Sequence, residues 1–562
     1  MKKIICALLA AAMCATLFAG CSTLKGEEKG ATINVYIGSE IADFDPALAY
    51  IDDSAVKVLG LVYEPLTRIN AKGKVENALM KSYKIIENEE KNDYRMEITI
   101  KETKWSDGRI VSADDVVYAW KRILDPEFSC AAAPLLFSIK NAFDVKMGDS
   151  SIDDLGLAAV DTDVIEVQFE GKVDYDLFLE NLACLALVPL REDVVVRYEN
   201  FGTKVASMVS NGPFAVKGLE EGKSLMLERN VYYYRDTDND DALDKYVLPY
   251  RLMIDFTKNE DEITEAYENG EIYYLGDIAL DKRAEYKKDA EVSDLLSTHS
   301  YIFNTTNELF ASADVRCALS MSLDRETIAN DVTFAEAATG LIPDAVYDKK
   351  VGDSFRENGG DLIATSPIAI SEAKAMLNGK SGSFTITCRS NAADIAIAEY
   401  CKDAWKAIGF DVSIEKLDPA DYMEAYVAGD YDVIAVDYQC LSTDAFGALA
   451  VFAPKYSGMG IDIQNDNYDP VPYIPGYAND DYSALIDSAC AEKDRATRSA
   501  FLHDAEKLLM DDMAIMPIIY NQDAYVFNSK VLSKVKDYYM GYRNFNRLTM
   551  KNWRDYEEND GE

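Results

Sequence analysis

Between residues 384 and 438 the chain alternates strand-like and helix-like periodicity, and this stretch constrains the fold more than any other. Residues 384–388 form a short β-rich run. Ile397, Tyr400, Cys401, Ala404, Trp405 and Ile408 then recur at helical spacing, and Gly409 follows as a C-cap. Val412 and Ile414 begin a second strand. Asp418 is placed to cap a helix running through Tyr422 and Tyr426, which Gly429 ends. Val433-Ile434-Ala435-Val436 is a continuous apolar run, as expected of a strand covered on both faces. A β-α-β-α-β order implies a parallel sheet with right-handed crossovers. Ligands of such sheets bind beyond the carboxyl ends of the strands, which puts Asp437 and Tyr438 in a privileged position.

Elsewhere the signals are shorter. Residues 32–36 and 94–100 alternate as strands, the second half-buried. Asp45-Pro46 and Trp105-Ser106-Asp107-Gly108 read as turns, the latter packing Trp105 beneath a small domain. Ser112 offers an N-cap and Asp114 and Asp115 an acidic first turn. The helix that follows, 116–124, stops before Asp125-Pro126. No internal repeat is visible.

The first residues carry an export signal: basic Lys2 and Lys3, an apolar stretch over 4–18, then Ala19-Gly20. The apolar stretch is too short to remain as a spanning helix. Leu17-Phe18-Ala19-Gly20-Cys21 resembles a bacterial lipobox, with Phe18 where Leu is commoner. By that resemblance Cys21 would carry a diacylglycerol, become the mature N-terminus and hold the protein at the cell membrane, with 21–30 as its tether.

Charge and residue supply exclude several functions. Aspartate and glutamate number 98 against 57 lysines and arginines, a net charge of −41, so nucleic acid is not an expected partner. The histidines are two, His299 and His503, in no metal-binding spacing, which leaves little room for histidine triads or histidine-rich metal sites. No nucleophile elbow or phosphate-binding glycine loop stands in a credible context. The expectation is a protein that is not an enzyme, with no cofactor and no metal. Cys130, Cys184, Cys317, Cys388, Cys401, Cys440 and Cys490 are scattered without CxxC spacing, as buried free thiols would be.

A set of short motifs, weak singly, is specific in its order. Phe44-Asp45-Pro46-Ala47 precedes Val62-Tyr63-Glu64-Pro65-Leu66-Thr67-Arg68, Lys104-Trp105-Ser106-Asp107-Gly108 and Ser112-Ala113-Asp114-Asp115-Val116. Asn211-Gly212-Pro213-Phe214, Glu228-Arg229-Asn230 and Leu323-Asp324-Arg325 follow. Trp405-Lys406-Ala407-Ile408-Gly409, Gly429-Asp430-Tyr431-Asp432 and Met516-Pro517-Ile518-Ile519-Tyr520 complete it. Over residues 33–531 the chain resembles the bacterial extracellular solute-binding protein family 5, which includes oligopeptide-, dipeptide- and nickel-binding proteins.

The resemblance implies an α/β, periplasmic-binding-protein-like fold: two α/β lobes joined by a two-crossover hinge, plus an inserted domain. After a signal peptide over 1–20, lobe I would comprise 31–62, 187–297 and 512–562. The inserted domain II would span 63–186 and lobe III 298–511, with crossovers near 298–304 and 517–522. It implies a monomeric receptor that delivers a peptide ligand to the permease of an ABC importer. A nickel or haem chelate, an oligosaccharide, a sensor role uncoupled from transport, and a secreted hydrolase are the competing readings.

It also implies a site. The main chain at Tyr50-Ile51-Asp52 and at Val436-Asp437-Tyr438 would pair with an extended ligand. In peptide-binding relatives an aspartate just past the second stretch meets the ligand's ammonium. Strict register places Leu441 there, leaving Asp437 and Asp444 as candidates; Asp444 is favoured of the two, with a helix N-cap as its equal alternative reading. Tyr520 and Asn521, on the second crossover, are expected to face the cleft.

Overall fold

The computed structural model describes residues 30–49, 52–198, 201–234, 246–462, 469–536 and 541–557. The export signal, Cys21, and Tyr50 and Ile51 lie outside the described residues. Among the described residues no helix is long and apolar enough to cross a membrane.

One large mixed sheet organises the molecule. Its strands in chain order are β1 Thr32–Tyr36, β2 Phe214–Glu220, β3 Ser224–Arg229, β4 Arg251–Asp255, β5 Tyr274–Leu275, β6 Glu291–Phe303, β7 Ala335–Ala337, β8 Ser383–Arg389, β9 Asp411–Leu417, β10 Val433–Gln439 and β11 Ile515–Phe527. Their spatial order is β9-β8-β10-β6-β11-β5-β1-β4-β3-β2, with β7 also on β11. The helices used below are α1 Asp53–Val62, α2 Ala113–Leu124, α3 Glu260–Glu268, α4 Ala392–Ile408, α5 Pro419–Ala428 and α6 Arg495–Asp512.

The β8-α4-β9-α5-β10 unit follows the sequence pattern closely. Asn391 caps α4 and Gly409, at φ 117°, ends it. Asp418 accepts from the backbone amides of Ala420 and Asp421 at the start of α5, and Gly429 closes that helix in the left-handed region. β8 is parallel to both β9 and β10. Trp405, Tyr301 and Ile386 centre a core of their own on this side of the molecule.

Two long strands join the halves. β6 and β11 run antiparallel, and β6 also pairs with β10 while β11 reaches β5. The pairing of β6 with β11 slips between Asp294 and Thr298. A second slip lies between His299 and Ser300, within 298–304, the stretch expected to cross, while β10 on the other side of β6 keeps regular register.

Residues 80–168 form a separate four-stranded antiparallel sheet, in the order Met80–Asn88, Asp93–Ile100, Val164–Gln168, Leu157–Asp161. Met96, Ile98 and Ile100 turn inward, as the alternation requires. Trp105 is fully buried at its turn and donates to Asp115 Oδ2, 3.0 Å, while Asp115 also accepts from the Ser112 amide, 2.8 Å. Asp45, of the Asp45-Pro46 turn, is buried against Arg122 of α2, at 3.0 and 2.6 Å. The seven described cysteines are free, and five of them are buried.

Candidate functional site

β8 pairs with β10 only as far as Thr387 opposite Ile434, whereas β6 accompanies β10 along its whole length. From Ala435 onward, the edge of β10 that faces β8 therefore has no strand beside it. Cys440 donates its amide to Leu296 O, on the β6 side. From the opposite side the Tyr422 hydroxyl reaches Ala435 O, 2.7 Å. Backbone groups alternate sides along a strand, so Asp437 and Gln439 turn their N–H and C=O toward this open edge. The apolar run that read as a doubly covered strand thus ends in main chain available to a ligand.

The Asp437 side chain sits among groups from three other strands. Its Oδ1 accepts from His299 Nδ1 on β6 and from Asn521 Nδ2 on β11, each at 2.9 Å. Its Oδ2 pairs with Arg389 at the end of β8. Arg389 also holds Asp394 of α4, with Nε 2.9 Å from Oδ2. Burial alone would raise the Asp437 carboxyl, but Arg389 and His299 overcome it and hold the group well below the usual carboxylate range. Asp394 and Asp437 together hold Arg389 firmly protonated against its own burial. His299, Asp394 and Asp437 have a donor spacing that a metal ion tolerates. Arg389 already stands between the two carboxylates, and a second cation would have to displace it.

Asp52 faces this cluster from the other side. It caps α1, accepting from the amides of Ser54 and Ala55 at 2.9 and 3.3 Å. Burial raises its carboxyl and Arg389 opposes that rise, which sets Asp52 within electrostatic reach of β8. Two carboxylates, Asp394 and Asp437, thus pair with the Arg389 guanidinium, and Asp52 adds a third negative charge within its electrostatic reach. A closed site with this balance favours a ligand that brings positive charge.

The remaining expected residues fall as follows. Asn521 is in the cluster, but Tyr520 is not. Successive strand residues point to opposite faces, and the Tyr520 hydroxyl accepts from the Thr339 amide, 3.1 Å, in buried surroundings. Val436 and Tyr438 line a small cleft beside the free edge, partly open to solvent, with about 20 Å³ of free space. Asp444 is buried and its two oxygens are each 2.7 Å from the Arg498 guanidinium of α6. Its side chain makes no helix-cap hydrogen bond. With both oxygens taken, it has little to offer an ammonium, and Asp437 is the carboxylate at the open edge.

Arg389, His299 and Asp394 escaped the sequence reading. A charged residue at the carboxyl end of a strand was the available signal for Arg389, by the same carboxyl-end rule that singled out Asp437.

The cleft is drawn together from several sides. Glu260 Oε1 of α3 accepts from the Ala392 amide at the start of α4, 3.2 Å. The inserted unit meets the segment after β10 through Ser442 to Asn181, 2.7 Å, Thr443 to Glu180, 3.2 Å, and the Cys130 amide to Gly458 O, 2.8 Å.

Known proteins resemble the chain along most of its length. Oligopeptide-binding protein OppA of Bacillus subtilis (strain 168) is 28% identical over 520 residues, 89% of this chain and 90% of its own. Dipeptide-binding protein DppE of the same strain is 26% identical over 522 residues, 89% of this chain and 88% of its own. Among solved structures, the Escherichia coli murein tripeptide binding protein MppA has a TM-score of 0.77 at 22% identity, covering 93% of this chain and 99% of that one. Listeria monocytogenes OppA bound to peptide has 0.78 at 20%, covering 93% and 100%. These likenesses establish the periplasmic-binding-protein-like α/β fold. The model for bacterial extracellular solute-binding proteins, family 5 Middle, matches residues 74–458. This family consists of solute receptors and not of enzymes. The ordered motifs, the mixed two-sided sheet and that match converge: the chain belongs to the bacterial extracellular solute-binding proteins of family 5.

Proposed function

We propose that this protein captures peptides between its lobes and delivers them to the permease of an ABC importer. The carrying observation is the unpartnered edge of β10 beyond Ile434, with the Asp437 carboxylate beside it. An extended peptide adds to that edge as a further strand, so affinity comes from main-chain hydrogen bonds and tolerates varied side chains. A carboxylate has about four lone-pair positions. Asn521, His299 and Arg389 use three of those of Asp437, and the last accepts the peptide's ammonium. The main chain around Asp52 closes over the ligand from the opposite lobe, with β6 and β11 flexing as the hinge.

In this reading the lobes are 31–62 with 187–297 and 512–562, and 298–511, with 63–186 inserted. The receptor is a monomer, tethered to the membrane through a lipid on Cys21. The relatives named for oligopeptides and dipeptides support the ligand class.

Native mass spectrometry of freshly purified protein, followed by calorimetry, tests the proposal. A ladder of co-purifying peptides is expected, and acetylating a bound peptide's N-terminus is expected to weaken it roughly tenfold or more. A single metal chelate or a sugar in the cleft would overturn it.

A further inference from the structure

One of the chain's two histidines, His299 of β6, is buried beside Asp437. Its Nδ1 lies 2.9 Å from Asp437 Oδ1. An ionised carboxylate only accepts, so Nδ1 carries the hydrogen and Asp437 fixes the tautomer of the ring. The other ring nitrogen, Nε2, is buried and meets no hydrogen-bond partner among the described residues.

The charges around this ring come from several elements. Asp437 of β10 holds it directly, and a carboxylate oxygen of Asp394 on α4 lies within 4.8 Å of one of its nitrogens. Arg389 of β8 stands between those two carboxylates. Asn521 of β11, on the same Asp437 oxygen, is uncharged. Tyr301, two residues along β6, packs edge-on to the ring at 5.9 Å, and burial keeps its phenol neutral. Asp52 of the opposite lobe adds its charge through Arg389.

These groups act on the ring in opposite directions. A proton on Nε2 would place an N–H where nothing accepts it, which is costly in buried surroundings. Asp437 and Asp394 draw positive charge toward the ring, and the Arg389 guanidinium opposes it. With Asp52 counted, three carboxylates face one guanidinium, so the site has a use for one more positive charge. The ligand's ammonium brings one, and so does a second proton on His299. Both would rest on the carboxylate of Asp437, and in a site screened from water two such cations repel strongly.

Resting on the peptide reading above, we infer that His299 is a positioning residue that makes ligand capture proton-linked. Neutral, it orients Asp437 for the ammonium. Protonated, it supplies the counter-charge that the ammonium otherwise brings, and the peptide is held less tightly. Linkage is reciprocal: a bound ammonium resists protonation of the ring, so affinity falls as pH falls. Acidification thus becomes a release signal, acting on the one group that the hinge strand β6 places against the ammonium's carboxylate.

Calorimetry on the whole protein with tri-alanine and penta-alanine tests this. The window runs from about pH 7 down to about pH 5, where histidines ordinarily change charge and the peptide's own amine stays protonated. Affinity for the peptides is expected to fall roughly tenfold across it. At the acid end binding is expected to release protons, seen as heats that vary with the buffer's ionisation enthalpy. The N-acetylated peptides, which bring no ammonium, are expected to show a flat profile. His299→Asn, which keeps an N–H donor but cannot take a charge, is expected to flatten the profile of the free peptides, whatever its affinity at the neutral end. His503→Asn, on α6 against Asp348, is expected to keep the full slope. A Tm measurement checks that both variants fold. If His299→Asn does not, the contrast between free and acetylated peptides on the unaltered protein decides the matter. A flat profile for the free peptides, an equal slope for the acetylated ones, or an undiminished slope in His299→Asn overturns the proton linkage alone. Any slope left in that variant belongs to other groups such as Asp52, whose carboxyl burial raises. If neither free peptide binds at neutral pH, the peptide reading falls and this inference with it.

Discussion

Asn521 Nδ2 lies 2.9 Å from Asp437 Oδ1, tying the crossing strand β11 to the carboxylate at the end of β10. The same amide reaches Ser297 Oγ, 2.9 Å, within the stretch where β6 slips against β11. One side chain thus connects both crossing strands to the group proposed to receive the ligand.

Two aspartates separate binding from stability. Asp437→Asn keeps the shape but removes the charge facing the ammonium, and calorimetry should show peptide affinity falling roughly ten- to a hundredfold. Asp444→Asn breaks the paired contact with Arg498 and leaves that buried guanidinium short of its partner. It should lower Tm by several degrees while affinity changes by no more than a few-fold. The reverse pattern would return Asp444 to the site.

A buried charge group predicts acid sensitivity. Asp523 on β11 is fully enclosed, 2.6 and 2.9 Å from Arg543 and 3.3 Å from Lys57. Burial would raise its carboxyl, but Arg543 and Lys57 outweigh that and bring it down to about 2. The unfolded chain has an aspartate near its ordinary value of about 3.9. The folded state binds this proton less readily, so the stabilisation is complete above that value and disappears as pH falls from about 4 through about 2. By linkage it amounts to about 2 kcal/mol. Urea unfolding of the protein and of Asp523→Asn across this window should converge at the acid end.

The contact between Glu260 and the first turn of α4 should bias closure. It combines a hydrogen bond with a negative charge at a helix N-terminus, together worth about 1 kcal/mol. Glu260→Ala should weaken peptide binding about two- to tenfold, and small-angle scattering of the unliganded variant should show a larger radius of gyration. Unchanged affinity and scattering would show that the contact has no part in closure.

Thiol reactivity offers a direct check on the cores. Burial pushes Cys130 up to about 11 and Cys184, Cys388 and Cys401 up to about 12. Cys490 is exposed. Of the seven described cysteines, native maleimide labelling should modify Cys490 first and spare the buried ones until the protein unfolds. Rapid labelling of Cys388 or Cys401 would contradict the packing around Trp405.

The elements between residues 383 and 439 were legible because their signals are local. Alternation, helical spacing, an aspartate cap and a glycine stop each act within a turn or two of chain, and the strands and helices end where those residues stand. The buried turn at Trp105 was legible for the same reason. The site was only partly so: the carboxyl-end rule singled out Asp437 and Tyr438 but said nothing of their neighbours. Which side chains surround Asp437 depends on which strand edges meet, and burial summed over the whole chain decides that. His299, Arg389 and Asn521 come from three strands far apart in sequence, and Arg498 claims Asp444 from 54 residues away. Even Tyr520 and Asn521, adjacent in sequence, part company once β11 is seated, because a strand's alternation sends one into the core and the other into the cleft.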